Sequence, residues 1–502
     1  MDPFWLAVDL VATPYMFVII MSGVVIGVLV GALPGLSSPM AVALLIPFTI
    51  TLQPVEAVAL LAALYCAGTF GGSITAILIN APGAPPAAAT ALDGYPMAKR
   101  GEAGRALGIA AASSVVGGLL SLIVFLTAAP ALASVALSFG PSEYFALAVF
   151  ALSMLASISG KSSLRNLIMG FIGVLLATVG VHLTTGVERF TFDIPQLSDG
   201  IHFVPVLIGL FAMSELLTQC GAKIQMKERI SSVVVKLPSI KELKALSGTI
   251  LRSSGIGTFI GILPAEGATV AALLSYNEAK RFSKNKAMFG HGAPEGIAAP
   301  EAANNAATGG AMVPTLALGI PGSGTTALIL AAMYAHGLQP GPYLVRETPE
   351  IMYAVFLSMI VANLGFLVVG LVGAKFFARV TLIPKTFLWP SVFCFSVIGS
   401  YAYGGVFDIW VMVVSGAIGY FLNRFHFSAA PLVMGLILGK ILEETFSQAM
   451  IIHESNFLEF FESPIVLMFF LMTTLSLLWP IISAKRLARA EAKELTKMES
   501  RP

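Results

Sequence analysis

The chain has 502 residues, of which 57% are hydrophobic and 11% charged, with 29 Lys and Arg against 27 Asp and Glu for a formal net charge of +2. Soluble proteins carry about 25% charged residues, so this balance excludes an ordinary cytosolic enzyme. A mean hydropathy of +0.87 leaves a polytopic membrane protein, yet one whose 48 glycines and 29 prolines interrupt segments that should be continuous helices.

In chain order, Met1 to Pro14 contains no Lys or Arg and no small-residue cleavage site, so it does not read as a secretory signal peptide. The stretch 15–98 is apolar but irregular. Spanning segments follow at roughly 106–128, 143–159, 165–184 and 203–219. The stretch 223–252 carries seven basic and two acidic residues and reads as a solvated linker. A second irregular stretch, 253–340, precedes spans at roughly 350–373, 386–402, 405–422, 429–443 and 464–484. The expected organisation is a first membrane repeat over 1–222, a cytoplasmic linker over 223–252, a second membrane repeat over 253–484 and a cytoplasmic tail over 485–502, with about 10–12 membrane segments.

The charges orient these spans. If the basic tail (Lys485, Arg486, Arg489, Lys493, Lys497, Arg501) is cytoplasmic, the Lys99–Arg105, Lys161–Arg165, Lys223–Arg252 and Lys280–Lys286 loops and the stretches 374–385 and 423–428 are cytoplasmic too. Of all the basic residues, only Arg189, Arg346 and Lys440 then fall elsewhere, and the acidic stretches around Glu188 and around Glu454 to Glu462 lie outside. The same count puts the loop at Gly94–Arg105 inside and the similar loop at Gly341–Glu350 outside, so the two halves are inverted.

The halves also share motifs. Gly27-x-x-x-Gly31-x-Leu33-Pro34 matches Gly257-x-x-x-Gly261-x-Leu263-Pro264, and Gly71-Gly72 leading to Pro82-Gly83 matches Gly309-Gly310 leading to Pro321-Gly322. A proline in a helix removes a hydrogen bond and clashes with the preceding turn, so each motif reads as a break. Matched breaks in two inverted halves point to a transporter binding site. The spacing predicts two re-entrant hairpins, Phe17 to Phe48 with its tip at Pro34, Gly35, Leu36 and Ser37, and Ser253 to Lys280 with its tip at Pro264, Ala265, Glu266 and Gly267. Close packing through GxxxG is the plainer reading of the glycines alone.

Helix starts after such breaks offer unpaired N–H groups and suit an anion. Candidate substrate-binding residues are Pro34, Gly35, Ser37 and Ser38 at the first tip, Gly267 and Thr269 at the second, Asn80, Pro82 and Gly83 at the first-half break, and Pro321, Gly322, Ser323, Gly324, Thr325 and Thr326 at the second. None of these breaks contains Lys or Arg, so a carboxylate would be held by neutral donors and released readily. Glu301, Asn304, Asn305 and Thr308 are spaced i, i+3, i+4, i+7 and share a face of an Ala- and Gly-rich helix. They form a candidate cation path, with a helix-to-helix hydrogen-bond seam as the alternative. Glu266 is the one acid at a hairpin tip, a candidate proton carrier or cation ligand.

No resident cofactor or metal is expected, beyond a transient Na⁺. Cys66, Cys220 and Cys394 are scattered, the six histidines form no cluster, and Gly160-Lys161-Ser162 lacks the earlier glycine of a phosphate loop, where Leu155 stands instead. Nothing forms an enzyme's catalytic constellation, and a channel would not need two broken halves.

The string FGHGAPEGIAAPEAANNAATGGAMVPTLALGIPGSGTTALILAAM from Phe289, with GVLVGALPGLSSPMAVALLIP from Gly27 and GGSITAILINAPGAPPAAATALDGYPMAKRGEAGRALG, closely resembles the large membrane subunit of tripartite tricarboxylate transporters, the TctA family. The likeness runs through nearly the whole chain. It implies a secondary carrier of the bacterial inner membrane, and with the inversion and breaks read above the expected fold is all-α, two inverted-topology repeats with re-entrant hairpins and discontinuous helices. It implies as partners a small four-helix membrane subunit and a periplasmic solute-binding protein, and uptake of citrate or another carboxylate driven by Na⁺ or H⁺. Two hairpins, each followed by a broken helix, suggest an elevator-like transport domain moving past a fixed scaffold, with rocking of the halves as the alternative.

Overall fold

Many of the prolines open helices. Pro3, Pro14, Pro54, Pro294 and Pro342 each stand at a first helical position, where the missing N–H costs nothing and the fixed φ already suits the helix. A computed structural model of the protein describes residues 2–33, 35–157, 163–220, 236–264, 267–380 and 385–478. Pro34, Ala265, Glu266, Gly160-Lys161-Ser162, the linker residues 221–235 and the tail 485–502 lie outside the described residues.

The described chain is all-α but for one antiparallel pair. The helices are α1 (Pro3–Val11), α2 (Pro14–Ala32), α3 (Ser38–Thr49), α4 (Pro54–Ile79), α5 (Ala87–Lys99), α6 (Ala103–Ala136), α7 (Pro141–Ser157) and α8 (Ser163–Ala177). Strands β1 (Gly180–Val181) and β2 (Glu188–Arg189) pair next, and α9 (Phe203–Leu207) runs through a π-helical stretch, Ile208–Met213, into α10 (Ser214–Cys220). The second half holds α11 (Ile240–Ile262), α12 (Gly267–Phe282), α13 (Pro294–Leu318), α14 (Gly324–Ala335), α15 (Pro342–Glu347), α16 (Pro349–Val380), α17 (Lys385–Arg424) and α18 (Ala430–Ile452), then α19 (Pro464–Leu478). Among the described residues, α2, α4, α6, α16 and α17 are long and apolar enough to span a bilayer, which makes this a multi-pass membrane protein.

Helix α17 holds the two spans expected at 386–402 and 405–422. Gly404 and Gly405 leave helical geometry, with Gly405 at a φ of 75°, which favours glycine. Gly399 packs on Ile208 while Gly209 packs on Met412, so the two stretches flank the same turn of the α9–α10 helix and α17 doubles back at the glycine pair.

The chain forms two compact units, each drawing on both halves: Met1–Leu137 with His202–Phe421, and Ser138–Ile201 with Leu422–Pro502. In the smaller unit α8 and α18 run parallel, with Gly170 against Gly435 and Gly439 against Val174 and Ala177. Arg189 pairs with Glu443 at one end, and Ser153 and Ser476 hydroxyls lie 2.6 Å apart between α7 and α19.

In the larger unit the shared glycine motif has the same job twice. A methyl group at Gly23 or Gly27 would stand 2.5 or 2.6 Å from the Leu60 or Leu64 carbonyl oxygen, so α2 lies parallel against α4. Gly257 meets Ala303 and Gly261 meets Ala307 in the same way, so α11 lies parallel against α13. The helix between each pair must therefore run back. At ~1.5 Å per residue α3 spans ~18 Å and α12 ~24 Å, enough to return to the level where α4 and α13 begin. Both expected hairpins are present, α2 with α3 and α11 with α12. The first arm of the second begins at Ile240, inside the charged stretch, with Ser239 accepting from the Glu242 N–H as its cap.

Stretches assigned to one side also meet. Arg105 bonds Glu242 at 2.6 Å and holds the Glu102 carboxyl below its usual range. The Lys236 N–H donates to the Gly104 carbonyl, and Arg100 donates to the carbonyls of His291 and Gly292. The Lys99–Arg105 loop thus neighbours the 223–252 stretch, also expected in the cytoplasm, and the residues that follow the Lys280–Lys286 loop.

Candidate functional site

The helices α4 and α13 occupy equivalent places in the two halves, each following a hairpin and ending in a left-handed residue, Asn80 at φ 53° and Gly319 at φ 70°. They cross in opposite directions. Ser73 donates to Glu301 at one end of the crossing, while Cys66 Sγ lies 3.7 Å from Thr308 Oγ1 at the other. The next equivalent pair is also antiparallel, with Gly118 of α6 against Asn363 of α16 and Phe125 near Phe356. Inversion of the halves, inferred from charge, is thus visible in helix direction.

Described residues flanking each of the four breaks gather at this crossing. On the α4 side, Gly31 packs on Gly68 and Gly71, and Gly83 folds back onto the Gly31 carbonyl while its N–H donates to Gly72 O at 3.2 Å. On the α13 side, Gly261 packs on Ala307, Gly267 returns to within van der Waals reach of Gly261, and Gly322 sits on Ala311 with its N–H directed at Thr315 Oγ1. Gly83 and Gly322 are needed because backbone meets backbone; what they approach is the protein itself.

Each hairpin joins the break of the opposite half. Ser38, at the start of α3, lies on Gly68, and Ser323, at the start of α14, has its Oγ 3.3 Å from the Tyr65 hydroxyl, one turn earlier on α4. The far ends meet as well, His336 Nε2 lying 3.2 Å from Thr49 Oγ1. Helices α3 and α14 therefore start together and run parallel. The same holds for α5 and α12: Ala89 and Ala272 share one cluster, and the Tyr276 hydroxyl donates to Asp93 Oδ2 at 2.9 Å.

The caps explain the serines. Ser37 accepts from the Met40 N–H at 3.4 Å, and Ser323 and Thr326 form a reciprocal capping box. Ser38, Pro321, Gly322, Ser323, Thr325 and Thr326 are buried, Gly35, Ser37, Pro82, Thr269 and Gly324 are half-buried, and Asn80 is exposed. The alpha-helix starts α3 and α14 thus bring two positive dipole ends and four hydroxyls, of Ser37, Ser38, Ser323 and Tyr65, to one turn of α4. Tyr65 could not be singled out from the sequence. Gly35 faces Gln219 and Glu215 of α10, a second pair the sequence did not mark.

The polar stripe of α13 is fully buried. Glu301 accepts from Ser73 on α4 and Thr90 on α5 through Oε1, and from Ser114 on α6 through Oε2 at 2.8 Å. The Asn305 amide donates to Asn304 Oδ1 at 2.7 Å, which leaves Asn304 Nδ2 and Asn305 Oδ1 buried without hydrogen-bond partners. The stripe is therefore a seam at Glu301 and Thr308, with unsatisfied amide groups between them. Asp93, another residue the sequence did not mark, holds the start of α13: the N–H groups of Gly290, Gly292 and Ala293 converge on its Oδ1 at 2.7–2.9 Å. Among the described residues no group of His, Cys, Asp and Glu could hold a metal ion.

Comparison with known proteins finds relatives over most of the chain. A protein of Agrobacterium vitis, described as an uncharacterized 52.8 kDa protein in the TAR-I ttuC′ 3′ region, is 38% identical over 454 residues, covering 90% of each chain. A second, described as an uncharacterized protein in the TAR-II ttuC′ 3′ region of the same organism, is 38% identical over 234 residues, 46% of this chain and 97% of its own. No solved structure matches. The model of the Tripartite tricarboxylate transporter TctA family matches residues 17–434, and the chain belongs to that family of transporter subunits.

Proposed function

We propose that the chain is the carrier subunit of a secondary transporter that imports citrate or another di- or tricarboxylate together with Na⁺ or H⁺. The observation that carries this is the gathering of the described residues around four helix breaks from two inverted halves at one crossing, where two helix starts and several hydroxyls meet with no basic residue among the described candidate residues. Neutral donors bind a carboxylate and let it go, as a carrier requires. Membership of a tripartite family supports two partners, a small four-helix membrane subunit and a periplasmic binding protein that delivers substrate. The charge distribution supports an inner-membrane location, the C-terminus in the cytoplasm and the N-terminus in the periplasm. All described candidate residues fall in the larger compact unit, which favours a mobile transport domain over rocking halves.

Energetics favour coupling. An interior-negative potential opposes inward movement of an anion by roughly 2.3 kcal/mol per charge per 100 mV. Three cations offset a citrate trianion, and a further one would draw on the potential. Liposomes containing this chain and its two partners are expected to accumulate labelled citrate or a related carboxylate only under an inward Na⁺ or H⁺ gradient. Accumulation without either gradient would contradict the proposal.

A further inference from the structure

Glu301 stands seven residues into α13, beyond the first turn where the helix dipole would stabilise its charge, and its side chain is completely buried. No Lys, Arg or His among the described residues pairs with it; its partners are the three hydroxyls of Ser73, Thr90 and Ser114, with the Asn304 amide beside them. A buried carboxylate with no counter-charge is costly, so a site of this kind is complete only when a cation joins it. The donors are all oxygen, which suits a hard ion, and their single negative charge matches a monovalent one. A second observation points the same way: Asn305 Oδ1, one turn further along the stripe, is a fully buried oxygen with no hydrogen-bond donor.

We infer that Glu301, Ser73, Thr90 and Ser114 form a Na⁺ site, and that Na⁺ bound there is the coupling ion of the carrier function proposed above, on which this inference rests. The hydroxyls now donate to the carboxylate. When the ion binds, they present lone pairs to it and turn their protons to helix carbonyls one turn back, an option serine and threonine have in any helix. Position makes the site a coupling device. Ser73 lies on α4 before the Asn80–Gly83 break and Thr90 on α5 after it, so one ion clamps both sides of the break. Ser73 is also about two turns, ~12 Å, along α4 from Tyr65 at the paired starts of α3 and α14. Filling the ion site fixes the helix on which the anion site is built.

The test uses the purified full-length chain, titrated with radiolabelled Na⁺ at constant ionic strength and followed in parallel by thermal unfolding, with K⁺ as the control. Wild type is expected to bind Na⁺ saturably and to be stabilised by Na⁺ more than by K⁺. Glu301→Gln should lose both effects, and Thr90→Val and Ser114→Ala should each weaken Na⁺ affinity roughly tenfold. The latter two keep the test open if Glu301→Gln does not yield monodisperse protein. Unchanged Na⁺ affinity in the variants, or no Na⁺ binding by wild type, overturns the site. Uptake by the complete transporter separates the two levels. Na⁺-driven uptake whose Na⁺ dependence is unaltered by Thr90→Val and Ser114→Ala removes the site and leaves the carrier standing, whereas uptake indifferent to any cation gradient removes both.

Discussion

Ser323→Asp is expected to reduce carboxylate uptake at least a hundredfold while leaving the protein folded, and Ser323→Asn to retain most of it. Both side chains cap a helix as well as serine does, so α14 should start in the same place in either variant. They differ in charge. Ser323 lies beside Tyr65 at the turn of α4 where α3 and α14 begin, and an aspartate there opposes the anion that the two helix starts would attract. A factor of a hundred corresponds to about 2.8 kcal/mol, within reach of two like charges a few ångströms apart out of bulk water. Initial uptake rates, set against the amount of protein in the membrane and its unfolding temperature, separate the two variants. Equal activity of Asp and Asn would place the anion elsewhere.

Gly83→Val is the second substitution with a large expected effect, and it acts through packing. A first side-chain carbon at Gly83 would overlap the Gly31 carbonyl, and it would stand 3.1 Å from the Gly72 Cα. The loop after α4 would have to lift off the α2–α4 pair, at a cost of ~3 kcal/mol or more. Loss of transport together with a lower unfolding temperature is expected, in contrast to Ser323→Asp. At Gly101, where no atom lies within 4 Å of an added carbon, alanine meets no such clash and strains only the backbone, held at a φ of 82°. Gly101→Ala is therefore the milder control.

The contrast between these residues shows what the sequence can reveal. The breaks were legible because glycine and proline act locally: Gly27 to Pro34 and Gly257 to Pro264 announce a hairpin tip wherever they occur, and their repetition announces the duplication. Inversion was legible from Lys and Arg, which report sidedness one loop at a time. The stripe from Glu301 to Thr308 was legible because four polar residues share one helical face.

Partners on other helices were not. Ser73, Thr90 and Ser114 look like ordinary small residues of close-packed helices, and only the crossing of α4, α5, α6 and α13 turns them toward one carboxylate. Tyr65 and Asp93 each stand between small or apolar neighbours in sequence, and nothing local says that one meets Ser323 and the other holds the start of α13. Nor could repeated motifs say which hairpin joins which break. The structure pairs each with the opposite half, which follows once α4 and α13 cross antiparallel. The start of α11 was missed for a simpler reason: the charges of the 223–252 stretch mark a solvated surface, and solvated residues are as compatible with a helix as with a linker.

In the proposed carrier an anion rests between the paired starts of α3 and α14. The most direct measurement places a cysteine at Ser37, the half-buried cap of α3, in a chain whose Cys66, Cys220 and Cys394 are replaced by alanine, and follows its alkylation. A thiol at a helix start is reactive, so the rate is readable. A transported carboxylate is expected to slow alkylation in a saturable way, and a neutral polyol of similar size is not. An alkylation rate unchanged at saturating carboxylate would contradict it.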